Sequence, residues 1–216
     1  MPFAATSSIS RRRILGALPL LLAPRWAKAG VQPSVVTILG DSITAGYGLR
    51  AGDALPAQLA AALRALGAVA TVRGAGVSGD TTAGGLARVD FSVQADTTVC
   101  VVALGGNDLL QGLDPDAMRR NLQQIVQRLK ARRIGVVVCG LQAPASLNRR
   151  YARDFNAVFP AVAKAEGVAL YPDLLAGVAQ TAGLNQADGL HPNPRGVKII
   201  AVRLAPVVAR ALKARR

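Results

Sequence analysis

After Gly30, short apolar runs alternate with longer stretches in which apolar residues recur every three or four positions. The short runs are VVTIL (35–39), AVATV (68–72), TTVCVVAL (97–104), IGVVVCGL (134–141) and VALYP (168–172). All five read as strands, and VVTIL, with a single polar residue, as one buried on both faces. The intervening stretches have helical spacing. Leu55, Leu59, Leu63 and Leu66 mark a helix over 54–66, with Pro56 near its start and Gly67 just past its end. A loop, GAGVSGD, leads to a short helix near 81–89. Asp114-Pro115 opens a helix to about Ala131 with Leu122, Ile125, Val126 and Leu129 inward, and further helices cover 149–166 and Pro194 to about Leu212.

Strands alternating with helices of this length build a parallel sheet covered on both faces. The predicted architecture is one three-layer α/β/α domain, flavodoxin-like, with a five-stranded parallel sheet in the order 2-1-3-4-5. In that order the ligand crevice lies beyond the carboxyl ends of strands one and three, where the winding reverses. The residues there are Gly40-Asp41-Ser42 and Gly105-Gly106-Asn107-Asp108. No internal repeat or low-complexity linker interrupts residues 30–216.

The first 29 residues follow a different pattern. Ser10-Arg11-Arg12-Arg13-Ile14-Leu15 precedes the apolar ILGALPLLLA (14–23), and Ala27-Lys28-Ala29 closes the segment. A charged start, a short apolar centre and an A-x-A end predict an export signal over 1–29, of twin-arginine type, and hence a periplasmic or secreted protein. An uncleaved anchor is the alternative, although the run is shorter than the ~20 residues that span a bilayer.

Charge and cysteine content narrow the picture further. Five of the 26 Lys and Arg and none of the 12 acids precede residue 30, leaving 21 bases against 12 acids, a net +9. Arginines scattered along the helices, such as Arg119, Arg128 and Arg150, supply much of this surplus. No aromatic interleaving or nucleic-acid motif accompanies it, so a solvated basic face is expected, with weak attraction to an anionic membrane surface and no nucleic-acid partner. Cys100 falls early in its strand and Cys139 late in the next, too far out of register for a disulfide, which requires Cα atoms within ~7 Å. Buried free thiols are expected. One histidine in the whole chain argues against a metal cluster, and no cofactor is implied.

The chemistry-bearing residues all fall at the predicted crevice. Ser42 follows the first strand, and a serine hydroxyl needs an adjacent base to act as a nucleophile. His191, in Ala187-Asp188-Gly189-Leu190-His191-Pro192, lies just before the last helix, with Asp188 three residues earlier and able to accept its Nδ1 proton. Asn107 offers a side-chain amide, Gly79 a backbone N–H without a Cβ, and Ser42 its own N–H, as donors to a developing oxyanion. Each has a bland reading: Gly-Asp-Ser a turn, Asn107-Asp108 a capping loop, Gly79 a turn glycine, His191 a packing residue. Their joint placement at one sheet edge favours catalysis. G-x-S-x-G is absent, which excludes an α/β-hydrolase elbow.

GDSITAGYG, GVSGDTTAGGLARVD, LGGND and DGLHPNPRG resemble the four sequence blocks of the GDSL, or SGNH, hydrolases, and most closely the acyl-CoA thioesterase, lysophospholipase and arylesterase group. The similarity runs from about Val35 to Val207 and includes APASLNRRYARDF after the fourth strand; Ile43 stands where the family name has leucine. The resemblance implies an SGNH hydrolase domain over 30–216. It implies Ser42 as nucleophile, Asp188 and His191 as triad partners, and Gly79 and Asn107 in the oxyanion hole. It also implies a shallow site without a deep lid, open to several small acyl esters or thioesters. The expected protein is an exported serine esterase, monomeric or weakly oligomeric. A carbohydrate O-acetyl esterase of the same fold and a non-catalytic binding module are the alternatives, to be separated by substrate panel and by covalent serine labelling. The stretches 142–150 and 74–85 are expected to shape the pocket.

Overall fold

A computed structural model describes residues 1–4, 34–144 and 146–215. The segment expected to direct export lies outside the described residues, apart from its first four. In chain order the elements are β1 (Ser34–Gly40), α1 (Ser42–Ala45), a 3-10 turn (Ala51–Asp53), α2 (Leu55–Ala65), β2 (Ala70–Gly76), α3 (Thr82–Ser92), β3 (Val99–Ala103), α4 (Gly106–Leu110), α5 (Pro115–Ala131), β4 (Gly135–Cys139), α6 (Arg149–Glu166), β5 (Ala169–Tyr171) and α7 (Pro194–Lys213). All five strands run parallel, in the order β2-β1-β3-β4-β5.

The sheet's centre is its most apolar part. Every residue of β3 is buried, as are Val35 to Gly40 of β1 and Val136 to Cys139 of β4. Covered on both faces, such strands need no polar alternation. Helix α2 packs against α7, while α5 packs against both α3 and α6, so the sheet is sandwiched between two helical layers. The helices are closed by side chains their sequence supplies. Asp114 accepts from Asp116 N and Ala117 N, Asn148 from Arg150 N and Tyr151 N, and Asn193 from Arg195 N and Gly196 N. Gly167 ends α6 in the left-handed conformation at φ 64°. Leu66 departs from expectation: it sits past the last turn of α2 and is 54% exposed.

Strand β2 also departs. It continues through Gly76, into the stretch whose glycines read as loop. Glycine weakens a strand unless something must approach its backbone closely. At Gly76 a Cβ would fall 2.3 Å from Ala45 N and 2.6 Å from Asp41 O, so the turn carrying Ser42 packs directly on β2 through the missing side chain. Cys100 pairs across the sheet with Val136, three positions before Cys139, and both thiols are free and buried. Burial pushes the Cys100 thiol up to about 12, leaving it protonated and inert. Among the described residues no helix is long and apolar enough to cross a membrane.

Candidate active site

The carboxyl end of β1 runs straight into α1, and the join is tight. A Cβ on Gly40 would lie 2.1 Å from Thr44 Oγ1 and 2.9 Å from Ala103 O. Asp41 then caps α1: its Oδ1 accepts from Ile43 N at 3.0 Å. Gly46 closes the turn in left-handed backbone at φ 75°. The sequence Gly-Asp-Ser is therefore a strand end, a cap and the first residue of a helical turn, with Ser42 facing the crevice.

His191 arrives from the other end of the chain. Asp188 folds its own loop, Oδ1 accepting from Leu190 N at 2.9 Å and His191 N at 3.0 Å, with Gly189 at φ 68°. Its other oxygen, Oδ2, lies 2.7 Å from His191 Nδ1. Gln186 ties this loop to the Ser42 turn, donating from Nε2 to Tyr47 O at 2.8 Å and Pro192 O at 3.1 Å. The Tyr47 ring lies against the imidazole with centroids 4.7 Å apart. His191 Nε2 ends 2.9 Å from Ser42 Oγ. A carboxylate can only accept, so Nδ1 carries the proton and donates to Asp188, which leaves Nε2 free to accept from the Ser42 hydroxyl. The hydrogen bond from the imidazole, then those from His191 N and Leu190 N, hold the Asp188 carboxyl down at about 2.

Gly79 and Asn107 line the same pocket as Ser42 and His191, a cavity of about 310 Å³. Gly79 adopts φ 84°, with open space where a Cβ would stand. Asn107 lies in the first turn of α4, after Gly105 at φ 119°, and its Nδ2 donates to Asp80 O at 2.9 Å. The second amide hydrogen remains available. Next to it, Asp108 is buried and accepts from Thr82 Oγ1 at 2.6 Å and Thr82 N at 2.8 Å, fixing α4 against α3. The structure thus brings together all five residues singled out in the sequence: Ser42, Asp188, His191, Gly79 and Asn107.

The pocket walls differ from expectation. Of 142–150 only Gln142 lines the cavity among the described residues, and Leu109, Leu110, Leu141, Leu175 and Leu190 make its apolar sides. The stretch 74–85 contributes Ser78 and Gly79. Among the described residues no cluster of three or more His, Cys, Asp or Glu is placed to hold a metal ion.

Sequence reasoning passed over Asp41, read only as the middle of a turn. The residue is 5% exposed, and burial raises its carboxyl from 3.8 to about 6 against the lowering effect of its cap bond to Ile43 N. An unfolded chain loses this proton near pH 4 and the folded one near pH 6, so stability falls as pH rises between those values and the penalty persists above them. The difference amounts to about 3 kcal/mol at most. Asp41→Asn keeps the capping oxygen without the charge. Urea titration at pH 7.5 should find the variant more stable by about 1–3 kcal/mol, with the gain gone at pH 4. A variant less stable at both pH values would remove burial as the dominant influence on this carboxyl.

A family model described as GDSL-like lipase/acylhydrolase matches residues 38–199. Esterase TesA of Pseudomonas aeruginosa is 36% identical over 198 residues, covering 89% of this chain and 96% of that protein. Thioesterase 1/protease 1/lysophospholipase L1 of Escherichia coli K12 is 35% identical over 85% of this chain and 88% of its own length. Among solved structures, AlinE4, an SGNH-hydrolase family esterase, is 42% identical, with a TM-score of 0.70 over 83% of this chain and 97% of that one. A family match across most of the chain, with relatives of this identity along nearly their full length, leads to one assignment: the chain belongs to the GDSL-like lipase/acylhydrolase family.

Proposed function

We propose that this protein is an exported serine esterase that cleaves carboxylic esters and thioesters through an acyl-enzyme. The observation that carries the reading is the unbroken line from Asp188 Oδ2 through His191 to Ser42 Oγ, with spacings of 2.7 and 2.9 Å, opening on an apolar cavity. His191 Nε2 takes the Ser42 proton as Oγ bonds to the substrate carbonyl carbon. Asp188 holds the tautomer and stabilises the imidazolium. Oxyanion charge is received by Ser42 N–H, Gly79 N–H and the free hydrogen of Asn107 Nδ2. The leaving alcohol or thiol departs with the proton from His191. Water attacks the acyl-enzyme with the same base, releases the acid and returns the proton to Ser42.

The leucine walls favour an acyl chain over a sugar, so aryl esters, acyl thioesters and lysophospholipids are the preferred substrate classes. The relatives' names, esterase and thioesterase 1/protease 1/lysophospholipase L1, support the same range. A fluorophosphonate should attach to the tryptic peptide containing Ser42, and p-nitrophenyl esters longer than acetate should outrun acetylated xylan. Labelling elsewhere, or preference for the polysaccharide, would overturn the respective part.

Export rests on the Arg11-Arg12-Arg13 start and the Ala27-Lys28-Ala29 end of the leader. Trp26 is the sole tryptophan and lies before the cleavage point. Protein recovered from the periplasm should begin at Gly30 and lack tryptophan emission; tryptophan emission from the exported form would refute cleavage there.

A further inference from the structure

Arg88, on α3, points its guanidinium at the back of the oxyanion donors. Nε donates to Asp80 Oδ2 at 2.6 Å, Nη2 to Gly40 O at 2.8 Å, and Nη1 to Ala75 O at 2.9 Å and Ser92 Oγ at 3.1 Å. Arg88 and Asp80 are largely buried, with side chains 18% and 14% exposed. Two of these acceptors are carbonyls near the carboxyl ends of β1 and β2. Gly40 stands two residues before Ser42, and Asp80 follows Gly79. Asp80 in turn presents its main-chain oxygen to Asn107 Nδ2 at 2.9 Å.

That last contact decides which way the Asn107 amide faces. Were the amide flipped, two oxygens would oppose each other at hydrogen-bond distance, so Asp80 O keeps nitrogen in place. The amide is therefore only as well aimed as the Asp80 backbone, and that backbone is anchored by its own carboxylate on Arg88. A guanidinium holds such a position through fixed forks, where an ammonium offers a single point charge. Gly84 shows how closely the carboxylate is seated: a Cβ there would fall 2.1 Å from Asp80 Oδ1.

We propose that Arg88 is a positioning residue for the oxyanion hole, joining the nucleophile's strand end to the loop that orients Asn107. This rests on the serine esterase reading above. Misplacing a catalytic group by about 1 Å can cost ~100-fold in rate. The loss should fall on kcat, because the donor acts on charge that develops in the transition state.

The test is a double-mutant cycle with p-nitrophenyl butyrate. Asn107→Ala alone should lower kcat by about 100-fold or more. Arg88→Leu alone should lower kcat by about 10–100-fold with KM within about threefold. In the Asn107→Ala background Arg88→Leu should cost several-fold less than in the parent, since the part of its effect that passes through the Asn107 amide is already removed. Arg88→Lys, which keeps an ion pair to Asp80, should recover part of the rate. Gly84→Ala provides a route that does not depend on Arg88→Leu folding. It raises helix propensity while displacing the Asp80 carboxylate, and its kcat loss should likewise shrink without Asn107. Equal losses in both backgrounds, or losses confined to KM, would overturn the proposal while leaving the esterase reading intact. A silent Asn107→Ala would bring down the oxyanion assignment, and this proposal with it.

Discussion

Replacing Ser42 with alanine should reduce turnover of p-nitrophenyl butyrate by about 10⁴- to 10⁶-fold, the scale on which loss of the nucleophile acts in serine hydrolases. The argument is geometric. Among the described residues the hydroxyl is the only side-chain group hydrogen-bonded to His191 Nε2, at 2.9 Å, and removing Oγ leaves the imidazole no bound proton to take. Residual activity would come from water held by His191 and from the donors around Asn107. The fold should not suffer. Helix α1 is capped by Asp41 Oδ1 on Ile43 N and by Gly46 N on Ser42 O, neither of which involves the Ser42 side chain. Thermal midpoints should agree within about 2–4 °C, which corresponds to less than ~1 kcal/mol for a chain of this size. Fluorophosphonate labelling should disappear in the same variant. Activity above about a tenth of the parent, with labelling retained, would remove Ser42 from the mechanism.

Much of this arrangement was legible in the sequence because parallel α/β chains advertise their strands. The runs around Val36 and Val101 are continuous in apolar residues because both faces are covered. The bounds of α6 could be set from Asn148 and Gly167, which cap it. Ser42, Asn107 and His191 could be assigned to one sheet edge because each follows a strand or precedes the last helix. Short elements gave no such signal. Helices α1 and α4 are four and five residues long, too short for a periodicity to register. Strand β2 was cut short because glycine reads as loop, whereas Gly76 is there to admit the Ala45 backbone. The burial of Asp41 and the four bonds of Arg88 depend on which chain segments meet in space, and no spacing within one segment encodes that. Distances belong to the same class: the sequence put Asp188 near His191, but the division of its two oxygens between loop and ring required coordinates.

That division makes Asp188→Asn the second large effect. Asp188 Oδ1 holds Leu190 N and His191 N, while Oδ2 receives His191 Nδ1–H at 2.7 Å. Asparagine can keep only one oxygen. The two backbone donors claim it, so the amide NH₂ turns toward Nδ1 and can only donate there. Nδ1 must then accept, the proton moves to Nε2, and the ring faces Ser42 with a hydrogen where the mechanism needs a lone pair. A tautomer trapped in this way should lower kcat by about 10⁴-fold with little change in the loop. Asp188→Ala is the informative contrast. It loses the loop bonds and the carboxylate, but leaves the ring free to choose its tautomer, so it should be less stable than Asp188→Asn yet retain more activity at high pH. The parent carboxyl, held at about 2, should remain ionised down to about pH 3, so protonation of Asp188 should not lower activity between pH 5 and 7. If Asp188→Asn keeps more than about a hundredth of the parent kcat across that range, orientation of the imidazole by Asp188 is not what makes His191 a base.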